Sequence, residues 1–148
     1  MGDLPSAVLF ACTMNAVRSP MAEAILKHFQ GRQIFVDSVG VRGNSEVDGF
    51  AVAVMEEIGI DISRHHPKNF DQLEDECFDL VVSLSPEAQH QAVEMTRHMA
   101  CDVEFWPTFD PALIEGGREA RLEAYRKVRD ELMRHILDRF PLHRLSEP

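Results

Sequence analysis

Cys12 and Arg18 are separated by five residues, Thr13 to Val17, and Arg18 runs directly into Ser19 and Pro20. A thiol and a guanidinium held in one short loop can bind and attack a tetrahedral oxyanion. The guanidinium presents a planar fork of donors that matches two oxygens, and the thiolate is the attacking species. Ser19 reads as an N-cap and Pro20 as the first helical residue, where a missing N–H is no loss. The free N–H groups and positive end of that helix then face back into the loop and attract a dianion. In such a field a cysteine pKa falls from about 8.5 to roughly 3.5–7.5, which yields thiolate at neutral pH.

Taken singly, these residues say little. A lone cysteine is more often a buried core thiol, and a lone arginine a solvated charge. Their order is what makes a candidate site. The loop lacks the paired glycines and Gly-Lys-Ser/Thr of a nucleotide-binding loop, which argues against an ATPase or GTPase.

Strands and helices must carry this loop. Val8 to Ala11 are apolar and suit a strand buried on both faces, with Cys12 at its carboxyl end, where open α/β sheets bind ligands. Met21 to Phe29 reads as the first helix, Ile34 to Val39 as the second strand, and Asp48 to Ile58 as a helix ended by Gly59. Leu80 to Leu84 follows as a strand, Pro86 to Met99 as a helix, Val103 to Trp106 as the fourth strand and Arg118 to Phe140 as a closing helix. Leu122, Tyr125, Val128, Leu132, Ile136 and Phe140 recur there at near-helical spacing and read as core packing. Alternation of this kind predicts one α/β domain over residues 1–148: a four-stranded parallel sheet flanked by helices, joined by right-handed crossovers.

These segments resemble the low-molecular-weight protein tyrosine phosphatases and the arsenate reductases that share their fold. Beyond the loop, Asp37-Ser38-Val39-Gly40, Gly59-Ile60-Asp61-Ile62-Ser63, Phe78-Asp79-Leu80-Val81-Val82 and Asp110-Pro111 match the family's segments in order. The resemblance implies that Cys12 forms a phosphocysteine and that Thr13, Met14, Asn15, Ala16, Val17 and Arg18 bind the phosphoryl oxygens through their backbone N–H groups. Arg18 is implied to hold two oxygens, Asn15 to brace the loop, Ser19 to stabilise the thiolate, and Asp110 to act as acid and then base. Such an acid is required on chemical grounds to expel an alkoxide or phenoxide. On its own, an Asp before Pro reads only as a turn residue. No cofactor and no metal is implied.

Several positions depart from the pattern. Met14 stands where the family usually has glycine, so if that position needs a positive φ, Met14 either strains the loop or marks a loop of different shape. Val17 replaces a second loop cysteine that can protect the nucleophile as a disulfide. The tyrosines that commonly follow Asp-Pro are replaced by Ala112-Leu113-Ile114-Glu115-Gly116-Gly117. Trp106 to Pro111 and the short Gly40–Gly59 stretch look closer to the thioredoxin-coupled arsenate reductases. The two relay cysteines of those enzymes fall on Ser85 and Ala92, which argues against an internal relay. Cys77 and Cys101 read as inert structural thiols.

The expectation is a cysteine-dependent phosphatase acting on protein phosphotyrosine or on small aryl or alkyl phosphates. An arsenate reductase using an external thiol is the alternative. A non-catalytic phosphate- or phosphopeptide-binding module and a regulatory subunit are further ones. The expected partners are phosphomonoesters, phosphate or arsenate.

Composition agrees. At 148 residues the chain can bury about 70% of its unfolded surface, so three cysteines without framework spacing need not be disulfides. The formal charge of −10 argues against nucleic-acid binding. Arg42, Arg64, His65, His66 and Lys68 are candidates for a compensating positive rim, although a solvated surface is the default for most. No apolar stretch spans a membrane and the N-terminus is unlike a signal peptide, so a cytoplasmic location is expected. Gly2 and Ser6 match the myristoylation pattern, which a proline inside it makes a chance match.

Overall fold

The structure, a computed structural model, describes residues 4–43, 46–73 and 77–142; Gly2 lies outside them. Strand β1 (Ala7–Cys12) is buried along its whole length. Its side chains alternate between two cores. Val8, Phe10 and Cys12 join Met21, Ile25, Leu26, Tyr125 and Leu132 on one side. Ala7, Leu9 and Ala11 join Val81, Ala88 and Ala92 on the other. Two buried faces explain why this strand shows no polar alternation.

The chain continues through α1 (Arg18–Gln30), β2 (Phe35–Gly40), α2 (Gly49–Glu56), β3 (Leu80–Ser83), α3 (Pro86–Met95), β4 (Asp102–Phe105) and α4 (Arg118–Arg139). All strand pairs are parallel, in the order β2-β1-β3-β4. Cys12 pairs with Gly40, Ala11 with Ser83 and Ser83 with Phe105, so the carboxyl ends of all four strands reach one edge. The chain leaves β1 toward β2 and returns to β1's other side as β3. That reversal opens a crevice above Cys12, the place where doubly wound sheets hold ligands. The apolar stripe of α4 is buried as expected. Truncating Leu132 within it to alanine would remove about 2–5 kcal/mol of stability.

Two starts follow the sequence closely. Asp48 caps α2 by accepting from Phe50 N and Ala51 N, and Ser85 caps α3 by accepting from Ala88 N with Pro86 next in line. The ends are shorter than expected. Helix α3 stops at Met95 because Thr96 N and Arg97 N turn to Val93 O and Glu94 O, three residues back. Helix α2 stops at Glu56, and Gly59 then takes a φ of 79°.

The start of α1 corrects the sequence reading. The helix begins at Arg18, Val17 occupies the cap position without a capping side chain, and Ser19 and Pro20 both lie inside the first turn. Ser19 does not cap because its hydroxyl is turned toward Cys12 Sγ, 2.9 Å away. Pro20 remains harmless, since an N–H in the first turn has no intrahelical acceptor. Among the described residues no helix is long and apolar enough to cross a membrane.

Candidate active site

Residues Thr13 to Val17 wrap the carboxyl end of β1 and close above Cys12. The thiol is 2% exposed, with Ser19 Oγ at 2.9 Å and Asn15 N donating to its sulfur at 3.3 Å. The Ser19 oxygen already receives a hydrogen bond from Asn15 Nδ2 at 2.8 Å. Its own proton has two directions, Cys12 Sγ at 2.9 Å or Val39 O at 3.5 Å, and the shorter contact favours sulfur. A thiolate at Cys12 would thus be met by two donors. The backbone N–H groups of Met14, Ala16, Val17 and Arg18 meet no protein acceptor among the described residues. A ring of unspent donors at a helix start suits an anion.

Asn15 holds this shape. It is fully buried and has a φ of 56°, the sole positive φ of a non-glycine among the described residues. Asparagine tolerates that region because its side chain can hydrogen-bond locally. Here every polar atom is used. Nδ2 donates to Ser19 Oγ and Ser38 Oγ, while Oδ1 accepts from Lys68 N at 2.9 Å and faces His65 Nε2 at 3.1 Å. The expected strain at Met14 is therefore absent: the left-handed residue is Asn15. Gly40 on β2 lets the loop come close, since a Cβ there would stand 2.8 Å from Asn15 N.

His65 corrects a second reading. Its Nε2 lies between Asn15 O and Oδ1, at 3.2 and 3.1 Å. Both are acceptors, so Nε2 carries the proton. Nδ1 faces Glu23 Oε1 at 3.9 Å, and Glu23 in turn accepts from Ser38 Oγ at 2.6 Å. Burial pulls the His65 pKa below its ordinary value, and Glu23 only partly opposes this. The ring is thus a neutral brace behind the loop, not part of a solvated rim. Lys68 is similarly occupied by Asp37 at 2.5 Å and Arg42 by Glu87 at 3.0 Å, while Arg64 and His66 are exposed.

Arg18 is 7% exposed and reaches from the first turn of α1 to the loop after β4. Its Nη1 donates to Thr108 O at 3.0 Å, and Nη2 stands 3.8 Å from Asp110 Oδ2. Asp110 Oδ1 accepts from Ala112 N and fixes the short 3-10 turn Pro111–Leu113. Cys12, Met14, Ala16, Val17, Arg18, Asp48, Asp110 and Ala112 line one pocket of about 180 Å³. Asp48 and Ala112 are the lining residues that the sequence reading left out of the site. Asp48 Oδ2 accepts from Tyr125 OH at 2.9 Å, a contact made across 77 residues that no local pattern signals. Burial, and then Asp48, raise the Tyr125 pKa well above the ordinary phenol value.

The other thiols stand elsewhere. Cys77 and Cys101 precede β3 and β4, at the amino-terminal edge of the sheet, while Cys12 ends β1 at the opposite edge. Cys77 is exposed and Cys101 partly buried. Burial and the neighbouring Asp102 raise the Cys101 pKa. Ser85, by contrast, is next to the loop, with Thr13 Oγ1 donating to its hydroxyl at 3.0 Å.

Comparison with known proteins places this geometry. Residues 7–139 match the model of the low molecular weight phosphotyrosine protein phosphatase family. An arsenate reductase of Halalkalibacterium halodurans is 36% identical over 129 residues, covering 87% of this chain and 91% of the relative. A glutaredoxin arsenate reductase of Synechocystis is 32% identical over 135 residues, with 87% and 92% covered. Among solved structures, a low molecular weight protein tyrosine phosphatase from T. tengcongensis superposes with a TM-score of 0.73 at 29% identity, covering 88% of this chain and 95% of that one. An arsenate reductase in its phosphate-binding state gives 0.67 at 29% identity, with 90% and 95% covered. A family match over nearly the whole chain, with relatives of this identity and coverage, leads to one conclusion: the chain belongs to the low molecular weight phosphotyrosine protein phosphatase family.

Proposed function

We propose that the protein reduces arsenate with the help of an external thiol, Cys12 being the nucleophile. The observation that carries this reading is the pocket: about 180 Å³, with Met14, Ala16, Val17 and Ala112 as its apolar lining and, among the described residues that line it, no aromatic ring to grip a phenyl group. It suits a free tetrahedral oxyanion. The named arsenate reductases among the relatives support the same reading.

In the first step the Cys12 thiolate attacks arsenic and hydroxide leaves, with Asp110 delivering the proton that makes it water. Arg18 and the N–H groups of Met14 to Arg18 hold the remaining oxygens. A second thiolate then attacks Cys12 Sγ. The sulfur–arsenic bond breaks, its electron pair stays on arsenic, and arsenic(V) becomes arsenite while Cys12 enters a mixed disulfide. Another equivalent of thiol restores Cys12. Both reducing thiols come from outside, because Cys77 and Cys101 lie at the far edge of the sheet and Ser85 and Ala92 carry no sulfur.

Hydrolysis of phosphomonoesters is the second reading, favoured by Asp110 beside Arg18. An acid at that wall can protonate a leaving oxygen and then activate water. Arsenite production from arsenate with glutathione, glutaredoxin or thioredoxin, measured beside p-nitrophenyl phosphate cleavage, separates the two. Thiol-dependent arsenite formation lost in Cys12→Ser supports reduction. Ester cleavage without arsenite under any thiol would sink it, and oxyanion binding with neither activity would point to a binding module.

A further inference from the structure

Asp48 lines the pocket, and Phe50 follows it two residues on in the first turn of α2, outside the lining itself. The Phe50 ring packs 5.4 Å from that of Tyr125, whose hydroxyl is bonded to Asp48. Over the same Phe50 ring stand two guanidiniums, Arg121 at 4.5 Å and Arg118 at 5.6 Å from its centroid. Farther along α4, Arg126, Arg129 and Arg139 are each tied to carboxylates. Among the described residues Arg118 and Arg121 have no such partner, and Arg121 Nε is buried with no acceptor. Lys127 and Arg134 on the same helix have no carboxylate partner among the described residues either, so what sets Arg118 and Arg121 apart is that both stack on one ring. Stacking on a ring employs the face of a guanidinium and leaves its donor edge unspent.

We propose that Arg118 and Arg121 form a carboxylate-binding subsite beside the pocket, which receives the acid group of a small anionic thiol and directs its sulfur to Cys12. This rests on the thiol-dependent reading above. A carboxylate matches the fork of one guanidinium and gains from the charge of the second. The Phe50 ring holds both cations beside Tyr125, whose hydroxyl is bonded to the pocket residue Asp48. The subsite acts in the second step only: it positions RS⁻ for attack on Cys12 Sγ, and arsenic keeps the electron pair of the broken bond.

Thiol–disulfide exchange at Cys12 tests the subsite without arsenate. Dithiodiglycolate, which is anionic, and hydroxyethyl disulfide, which is neutral, each convert the Cys12 thiolate to a mixed disulfide and expel one thiolate. Mass spectrometry of the Cys12 peptide keeps Cys77 and Cys101 out of the readout. In Arg118→Gln/Arg121→Gln the anionic reagent should react about three- to tenfold more slowly, and the neutral one unchanged. Arg118→Lys/Arg121→Lys should restore most of the preference, and about 0.5 M salt should erode it in the wild type. With arsenate present, the KM for mercaptoacetate should rise by a similar factor while kcat with 2-mercaptoethanol holds. Equal slowing of both reagents, or no change in either, overturns the proposal. If the wild type reduces no arsenate with any thiol yet the anionic preference at Cys12 depends on the arginines, the reductase reading fails and the carboxylate subsite stands.

Discussion

The two walls of the pocket are built differently. On one side the loop Thr13–Ser19 is tied down from behind: Asn15 alone engages Ser19, Ser38, His65 and Lys68, and Glu23 closes the circuit through Ser38. On the other side the segment after β4 exposes Phe109 and Leu113, 53% and 70% accessible, and leads to two arginines without carboxylate partners among the described residues. Under the proposed function the first wall would set what is bound, because its donors are held from behind. The second would set what meets the bound oxyanion, because Phe109 and Leu113 lie open to solvent. A rigid half for chemistry and an accessible half for selection follow from where each buries its polar groups.

Removal of the proposed nucleophile should give the largest effect. Cys12→Ser is expected to lose at least about 10⁴-fold in turnover of arsenate or esters, while phosphate still binds, measured by calorimetry. Residual turnover near wild type would break the assignment of the loop as the chemical wall. Next comes Asp110→Asn on the opposite wall. Ester cleavage should fall about 10²–10⁴-fold, as expected for loss of a general acid, and phosphate should bind at least as tightly because a negative charge 3.8 Å from Arg18 is gone. Weaker phosphate binding would show that Asp110 belongs to the anion cradle instead.

Asn15→Ala should lower stability by about 2–4 kcal/mol, since it strands buried partners and forces alanine into the left-handed region. It should also slow every reaction of Cys12 in parallel. A change in the ratio of arsenate reduction to ester cleavage would contradict the division of labour. The smallest effect concerns His65. Its folded pKa lies below the ordinary 6.5, so the unfolded chain binds the proton first as pH falls. The stability that neutral His65 contributes is therefore complete above about 6.5 and declines as pH drops below it. Melting curves of wild type and His65→Gln between pH 7 and 5 should show a shallower pH slope in the variant. Equal slopes would mean that the brace carries no proton linkage.

Much of this could be read along the chain. The buried strand, the loop and the helix after it are local, and their residue types make that conformation favourable wherever the segment sits. The starts of α2 and α3 were read within a residue of where the structure has them, because the caps that set them, Asp48 and Ser85, are satisfied within three residues. Ser19 misled for the same reason: its local role as a cap was outcompeted by a sulfur seven positions earlier. Met14 misled because position alone does not reveal which residue of a tight loop turns left-handed.

By itself, then, the sequence determined a parallel α/β sheet with a thiol and an arginine at the two ends of one short loop, since periodicity and the Cys12–Arg18 spacing act over a few residues. Only the tertiary structure decided what surrounds that loop. His65 and Lys68 meet Asn15 from 50 and 53 residues away, Tyr125 reaches Asp48 across 77, and Arg118 and Arg121 settle on Phe50. Such contacts form where packed helices and the sheet edge bring side chains together, and no local preference of the backbone encodes them.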